Sequence, residues 1–144
     1  MKIITTNKKA FGQYQILEKY EAGMVLNGQE IKAIRAGKIN LQGSFVRVMT
    51  DLKSGKPEIW VVNLHINAGD DPNRTRKLLM HKKEILKLAG KTQIKGLTLV
   101  PLQLYLKKGF AKLEIGLGKG LKIYDKREQI KKKEIKRKLQ RGEL

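Results

Sequence analysis

Two histidines, 13 acids and no cysteine narrow the chemistry open to this chain of 144 residues. Without cysteine there is no thiolate nucleophile, no disulfide framework and no Cys-ligated zinc or iron–sulfur site. His65 falls in an apolar, strand-like run and His81 opens an amphipathic stretch. Isolated from each other, they read as structural or RNA-facing residues, not as metal ligands or general bases. Gly116-Leu117-Gly118-Lys119-Gly120 is phosphate-friendly in composition but lacks the spacing of a P-loop and its Lys-Ser/Thr. It reads instead as a strand end that loosens into the C-terminal segment. No serine sits in a G-x-S-x-G elbow. The expectation is a non-enzymatic protein with no metal and no cofactor.

What remains is cations beside aromatic and hydrogen-bonding groups. Lys8 and Lys9 precede Phe11 and Tyr14; Lys32 and Arg35 share one face of a short helix, with Lys38 just past its end. Arg74, Arg76 and Lys77 crowd a loop before Leu78-Leu79-Met80, and Lys119, Lys122 and Tyr124 lead into the C-terminal segment. Ammonium and guanidinium groups neutralise phosphates, while a tyrosine ring or arginine plane can stack on an unpaired base. Any one cluster could be a solvated surface. Together, on a chain with 32 basic residues, net charge +19 and a pI near 10.2, they imply a shared RNA surface.

The elements that must carry these residues are short. Gln13–Tyr20 suits a first strand, and Gln29–Ala36 a short helix whose C′ residue is Gly37. Ser44–Met49 and Ile59–Ile66 form a hairpin around the turn residues Lys53–Pro57. Residues 81–88 make a second helix stopped by Gly90, and Leu97–Leu106 and Phe110–Leu117 a second hairpin turned at Lys108-Gly109. Pro101 cannot donate to a ladder, so it marks an edge or bulge. The fold class is mainly β: a small oligonucleotide-binding-like β-barrel with two or three short helices and a basic C-terminal tail. No apolar run approaches the roughly 18 residues of a membrane span, and the N-terminus lacks an apolar signal core, so a cytoplasmic protein with no membrane partner is expected.

Residues 1–124 are read as the barrel domain and 125–144 as the tail. The tail holds nine basic and four acidic residues for a net +5, leaving +14 on the rest. Its apolar residues are too few to order it alone, yet it is built from good helix formers with Glu128–Lys132 and Glu134–Lys138 at i,i+4. It is expected to be disordered when free and helical along a polyanion.

Several strings in order resemble the SmpB family, the SsrA (tmRNA)-binding proteins of bacterial trans-translation. They are Asn7-Lys8-Lys9-Ala10, Tyr20-Glu21-Ala22-Gly23, the run from Gly28 to Lys38, Asp71 to Leu79 with His81, Lys95 to Leu102, and Tyr124-Asp125-Lys126-Arg127. The resemblance implies a barrel that binds the tRNA-like domain of tmRNA and brings it to stalled ribosomes. The tail would lie in the mRNA path at the small-subunit decoding region, and elongation factor Tu on charged tmRNA would be a further partner. Family positions linked to tmRNA binding match Glu21, Leu79 and Lys112, although Leu79 alone could equally be a core leucine and Glu21 a cap on backbone amides. The tail residues it implies are Asp125, Lys126, Arg127, Ile130, Lys131, Lys132, Lys133, Ile135, Lys136, Arg137 and Lys138. Three places depart from the pattern: Phe11-Gly12 replaces Arg-His, Gly120-Leu121-Lys122 replaces Gly-Lys-Lys, and the stretch before Asp71-Pro72 is short. Two alternatives stay open on the residues alone. One is a general RNA- or DNA-binding barrel, and the other is a nuclease or nucleotide-hydrolysing factor.

Overall fold

The computed structural model describes residues 1–121. The chain opens with β1 (Lys2–Thr6) and α1 (Lys8–Gln13), then β2 (Tyr14–Met24) and α2 (Gly28–Arg35). There follow β3 (Ile39–Asn40), β4 (Phe45–Thr50), β5 (Pro57–Val62), β6 (His65–Ile66) and β7 (Arg76–Leu79). Helix α3 (Lys82–Lys91) leads into the long strands β8 (Leu97–Lys107) and β9 (Phe110–Gly120).

The antiparallel pairings run β4-β5-β7-β2-β9-β8 and return from β8 to β4 through Val46↔Leu99. This closed ring is the expected barrel, and closure leaves few free edges to manage. β1 pairs with the distal half of β8, while β3 and β6 form a separate two-stranded ladder. Alternation decides what goes inside: Ala22, Ile59, Val61, Leu78, Leu104, Leu113, Ile115 and Leu117 point inward, and Ile34 of α2 with Ile85 and Leu88 of α3 join that core. A smaller cluster lies outside the ring, where Ala10 of α1 packs on Val100 and Leu102 with Tyr14 and Ile16 against them.

The glycine-rich run departs from the expectation. It continues as strand to Gly120 rather than loosening. A Cβ added at Gly118 would lie 2.9 Å from the Tyr14 Cβ, and one at Gly116 would lie 2.9 Å from Leu102. These glycines are small so that Tyr14 and Leu102 can lie on the sheet. Pro101 does mark a bulge, between Pro101 and Gln103. Asn7 bonds the carbonyls there, its backbone N–H to Leu102 at 2.7 Å and its side-chain amide to Pro101 at 3.0 Å, which ties α1 to β8.

Other departures have local causes. The run Ile59–Ile66 splits into β5 and β6 because Asn63 adopts φ of 63°, a left-handed conformation that asparagine tolerates. β1 and α1 are additional to the expected elements, since neither has strong periodicity. Gly90 does not stop the second helix, which runs on to Lys91. The short helix is as expected. Asn27 and Glu30 form a capping box, and Gly37 at φ 74° lets the Gly37 and Lys38 amides reach the Ile34 and Ala33 carbonyls. Among the described residues no helix is long and apolar enough to cross a membrane.

Candidate nucleic-acid interface

Strand β2 lies between β7 and β9, and its register sets the first group of candidate residues side by side. Gly23 pairs with Leu79 on one side and with Lys112 on the other, and Lys112 in turn pairs with Tyr105. These four positions form one row across β7, β2, β9 and β8, exposed at Leu79 and buried at Tyr105. A Cβ added at Gly23 would lie 3.5 Å from the Leu79 Cβ and 3.7 Å from the Lys112 Nζ, so the glycine lets the two neighbours close over the strand. Glu21 sits two residues back on the same face. Its carboxylate accepts from the Tyr105 hydroxyl and stands 3.6 Å from the Lys107 Nζ. The Tyr105 hydroxyl bond, aided by Lys107 and Lys112, outweighs burial and holds the Glu21 carboxyl below the usual carboxylate range. Burial and the same bond push the Tyr105 hydroxyl well up. Glu21 is therefore an anionic acceptor, held in place beside an ammonium group.

Leu79 is not a core leucine. It is 55% exposed while its neighbour Leu78 is 1% exposed, because alternation on β7 sends the first outward and the second inward. Glu21, Leu79 and Lys112 thus make a mixed surface of one carboxylate, one apolar side chain and one cation.

The arginine cluster is corrected by the same alternation. Arg76, expected to face RNA, is 0% exposed. Its guanidinium donates to the carbonyls of Leu64 at 2.7 Å, Pro72 at 3.0 Å and Arg74 at 3.1 Å, and to the Glu30 carboxylate. Arg74 donates to both Glu30 oxygens, and the Asn27 amide adds a further bond at 3.1 Å. Burial pushes the Glu30 carboxyl up, but Arg74, the Asn27 amide and Arg76 outweigh it and hold it low. Arg76 is thus spent inside, fastening α2 to β7 and to the loop that precedes it. Lys77, the next residue, faces outward and is ion-paired with Glu58 at 3.3 Å. Glu30 was missed as a structural anchor, although Asn27-x-x-Glu30 carries the spacing of a capping box.

The other cations lie elsewhere. Lys32 and Arg35 are exposed on α2, which the Glu30 network orients, and Lys38 is exposed beyond the helix. Lys8 and Lys9 are exposed on α1, and Tyr14 is half-buried over Gly118. Lys119 is exposed near them, paired with Gln15. A cleft of about 300 Å³ opens there between α1 and the turn before β4, lined by Lys9, Gln13, Tyr14, Gln42 and Phe45 among others. Phe11, one of the departures from the resemblance, lies under the Lys19 ammonium at 5.9 Å. The candidates therefore divide between the two ends of β2 and the surface of α2. Lys122, Tyr124 and the tail positions from Asp125 to Lys138 lie outside the described residues.

The histidines form no pair. His65 bonds Asn73 through Nδ1 at 2.9 Å, and His81 is the N-cap residue of α3. Among the described residues no three His, Asp or Glu side chains gather where they could hold a metal ion.

A family model described as SmpB protein matches residues 4–143. The chain belongs to the SmpB family. It is 51% identical to an SsrA-binding protein of Carboxydothermus hydrogenoformans over 98% of this chain and 95% of that relative. It is 54% identical to an SsrA-binding protein of Bacillus cytotoxicus over 98% of this chain and 92% of that one. Among solved structures, a chain from work described as "tmRNA-SmpB: a journey to the center of the bacterial ribosome" superposes with a TM-score of 0.65 and 43% identity. That match covers 83% of this chain and 85% of the other. The SmpB resemblance read from six strings thus holds over nearly the whole length, and the solved SmpB chain supports the barrel assignment.

Proposed function

We propose that this SmpB-family chain is an RNA-binding adaptor that binds the tRNA-like domain of tmRNA and delivers it to stalled ribosomes for trans-translation. It acts by binding and positioning in the cytoplasm, without a cofactor. The observation that supports it most directly is the surface formed by Glu21, Leu79 and Lys112, because three residues distant in sequence meet on adjacent strands. A cation there offers a phosphate contact, a fixed carboxylate accepts from base or 2′-hydroxyl donors, and an exposed leucine covers an apolar edge. RNA folded into a tRNA-like shape presents all three kinds of group; a bare polyanion presents one.

Lys8, Lys9, Lys32, Arg35, Lys38 and Lys119 would add phosphate contacts at other points of a folded RNA. In this reading residues 1–124 form the tmRNA-binding unit and residues 125–144 serve the ribosome, with elongation factor Tu joining on the charged RNA. Recovery of bound RNA from a bacterial lysate, followed by sequencing, tests the first part. A dominant tmRNA product is expected; a spread over tRNA and unstructured RNA at matched salt would favour a general RNA-binding barrel. Truncation after Tyr124 tests the second: tmRNA affinity should persist while peptide tagging on stalled ribosomes is lost. Tagging that survives truncation would refute the role given to the tail.

A further inference from the structure

Strands β4, β5 and β7 carry a second outward row beside the one that holds Leu79. Arg47 pairs with Trp60, and Trp60 pairs with Lys77. Ile59 and Val61 on either side of Trp60 are fully buried in the barrel, so alternation sends the indole to the outer face, where it is half-buried. Directly opposed residues on neighbouring strands bring their Cβ atoms to about 5 Å, so a cation flanks the indole on each side. The Arg47 guanidinium also lies 5.4 Å from the centre of the Phe45 ring, two residues along the same face. The Lys77 ammonium is held by Glu58, itself two residues from Trp60.

An aromatic plane on a β-sheet face, flanked by an arginine and a lysine, has the chemistry of a single-strand stacking platform. The ring offers a face to any base, and the cations stand where the neighbouring phosphates would pass. We propose that Trp60 stacks on an unpaired nucleotide of RNA, with Arg47 neutralising an adjacent phosphate and Lys77 exchanging Glu58 for another. The inference rests on the reading that the chain binds RNA, and adds to it a contact that begins two residues along β7 from Leu79 and extends over β5 and β4.

Trp60 is the single tryptophan of the chain, so its emission reports on this face alone. The test titrates the full chain with a short labelled oligouridylate and with a blunt RNA duplex of equal length. Binding is read from the anisotropy of the RNA and contact from tryptophan emission. Oligouridylate should quench Trp60 in step with its anisotropy, and the duplex should bind without quenching. Trp60→Leu should weaken oligouridylate binding by roughly 5- to 150-fold, and Trp60→Phe, which keeps a stacking ring, should restore most of it. Arg47→Ala should reduce the slope of log K against log salt by about 0.7. Oligouridylate that binds while tryptophan emission stays constant would overturn the platform and leave the tmRNA reading standing. So would a Trp60→Leu chain with unchanged melting and unchanged affinity. Oligouridylate that shows no binding by anisotropy would likewise overturn the platform, whereas the tmRNA reading stands or falls on recovery of tmRNA from the lysate.

Discussion

Replacing Glu30 with alanine leaves Arg76 buried and cationic, bonded only to the carbonyls of Leu64, Pro72 and Arg74. Removing one partner of a buried ion pair costs about 3–5 kcal/mol, because the surviving charge is left in a poorly solvating interior. The capping-box bond to Asn27 is lost as well, so the upper part of that range applies. Each kcal/mol moves the melting temperature of a domain of this size by roughly 3–6 °C, so a cost of about 4–5 kcal/mol puts Glu30→Ala roughly 12–30 °C below the parent. Circular dichroism melts at neutral pH measure it. The pH dependence gives an independent check. The folded-state pKa of Glu30 is depressed, so its stabilisation is complete above the unfolded carboxylate pKa and disappears as pH falls through the folded value. The gap in stability between the parent and Glu30→Gln should therefore be widest near neutrality and narrow on the acid side. A Glu30→Ala chain that melts within a few degrees of the parent would refute the account of Arg76 as a buried charge held by this carboxylate. A gap independent of pH would show that the ionised form of Glu30 does not matter.

Leu79→Ala should shift stability by no more than about 0.5 kcal/mol, as expected of an exposed side chain, while lowering tmRNA affinity; a loss of several kcal/mol on melting would mean that Leu79 packs inward. Lys112→Ala should weaken tmRNA binding and reduce the slope of log K against log salt by about 0.9, whereas Arg76→Gln should lower the melting temperature first; a flattened slope with full stability in Arg76→Gln would reverse this assignment. Gly118→Ala should cost about 1–3 kcal/mol, since the new methyl group meets the Tyr14 Cβ, which sits too close to the backbone to rotate away. An alanine there that melts like the parent would show that Tyr14 does not press on the strand.

The contrast between Arg76 and Lys77 shows what sequence reading reaches. A run of cations before an apolar stretch is visible, and so is the resemblance that links Glu21, Leu79 and Lys112. Whether each cation faces out depends on the phase of β7, a strand of four residues too short to display its own alternation. Leu78 and Leu79 are indistinguishable in type, and only pairing with Met24 and Gly23 assigns one to the core and the other to the surface. The long strands are easier: β9 alternates over many residues, with Leu113, Ile115 and Leu117 inward and Lys112 and Glu114 alternating with them. The glycines that follow carry no apolar side chain, so the pattern falls silent where the strand continues. α1 was missed because its six residues hold one buried side chain, Ala10, and no periodicity can be drawn from a single point. Trp60 carries no sequence signal as an RNA contact, because its partners Arg47 and Lys77 lie on other strands.

Strand β2 is the element that gives these separate signals a common frame. Tyr14 begins it and Glu21 lies seven residues on, so at about 3.3 Å per residue the α1 surface and the Lys112 surface stand roughly 20 Å apart along one strand. A loop of RNA that wraps a single patch would reach one of them. Engaging both requires RNA whose own fold holds distant segments at a fixed separation. That requirement favours a compact structured ligand over an extended one without calling on base-specific readout. It also explains why the barrel needs Glu30 and Arg76 inside it: cations on α2 contribute to such a surface only if the helix is held at a constant angle to the strands. The interior ion pairs supply that rigidity, and the exposed lysines supply the charge.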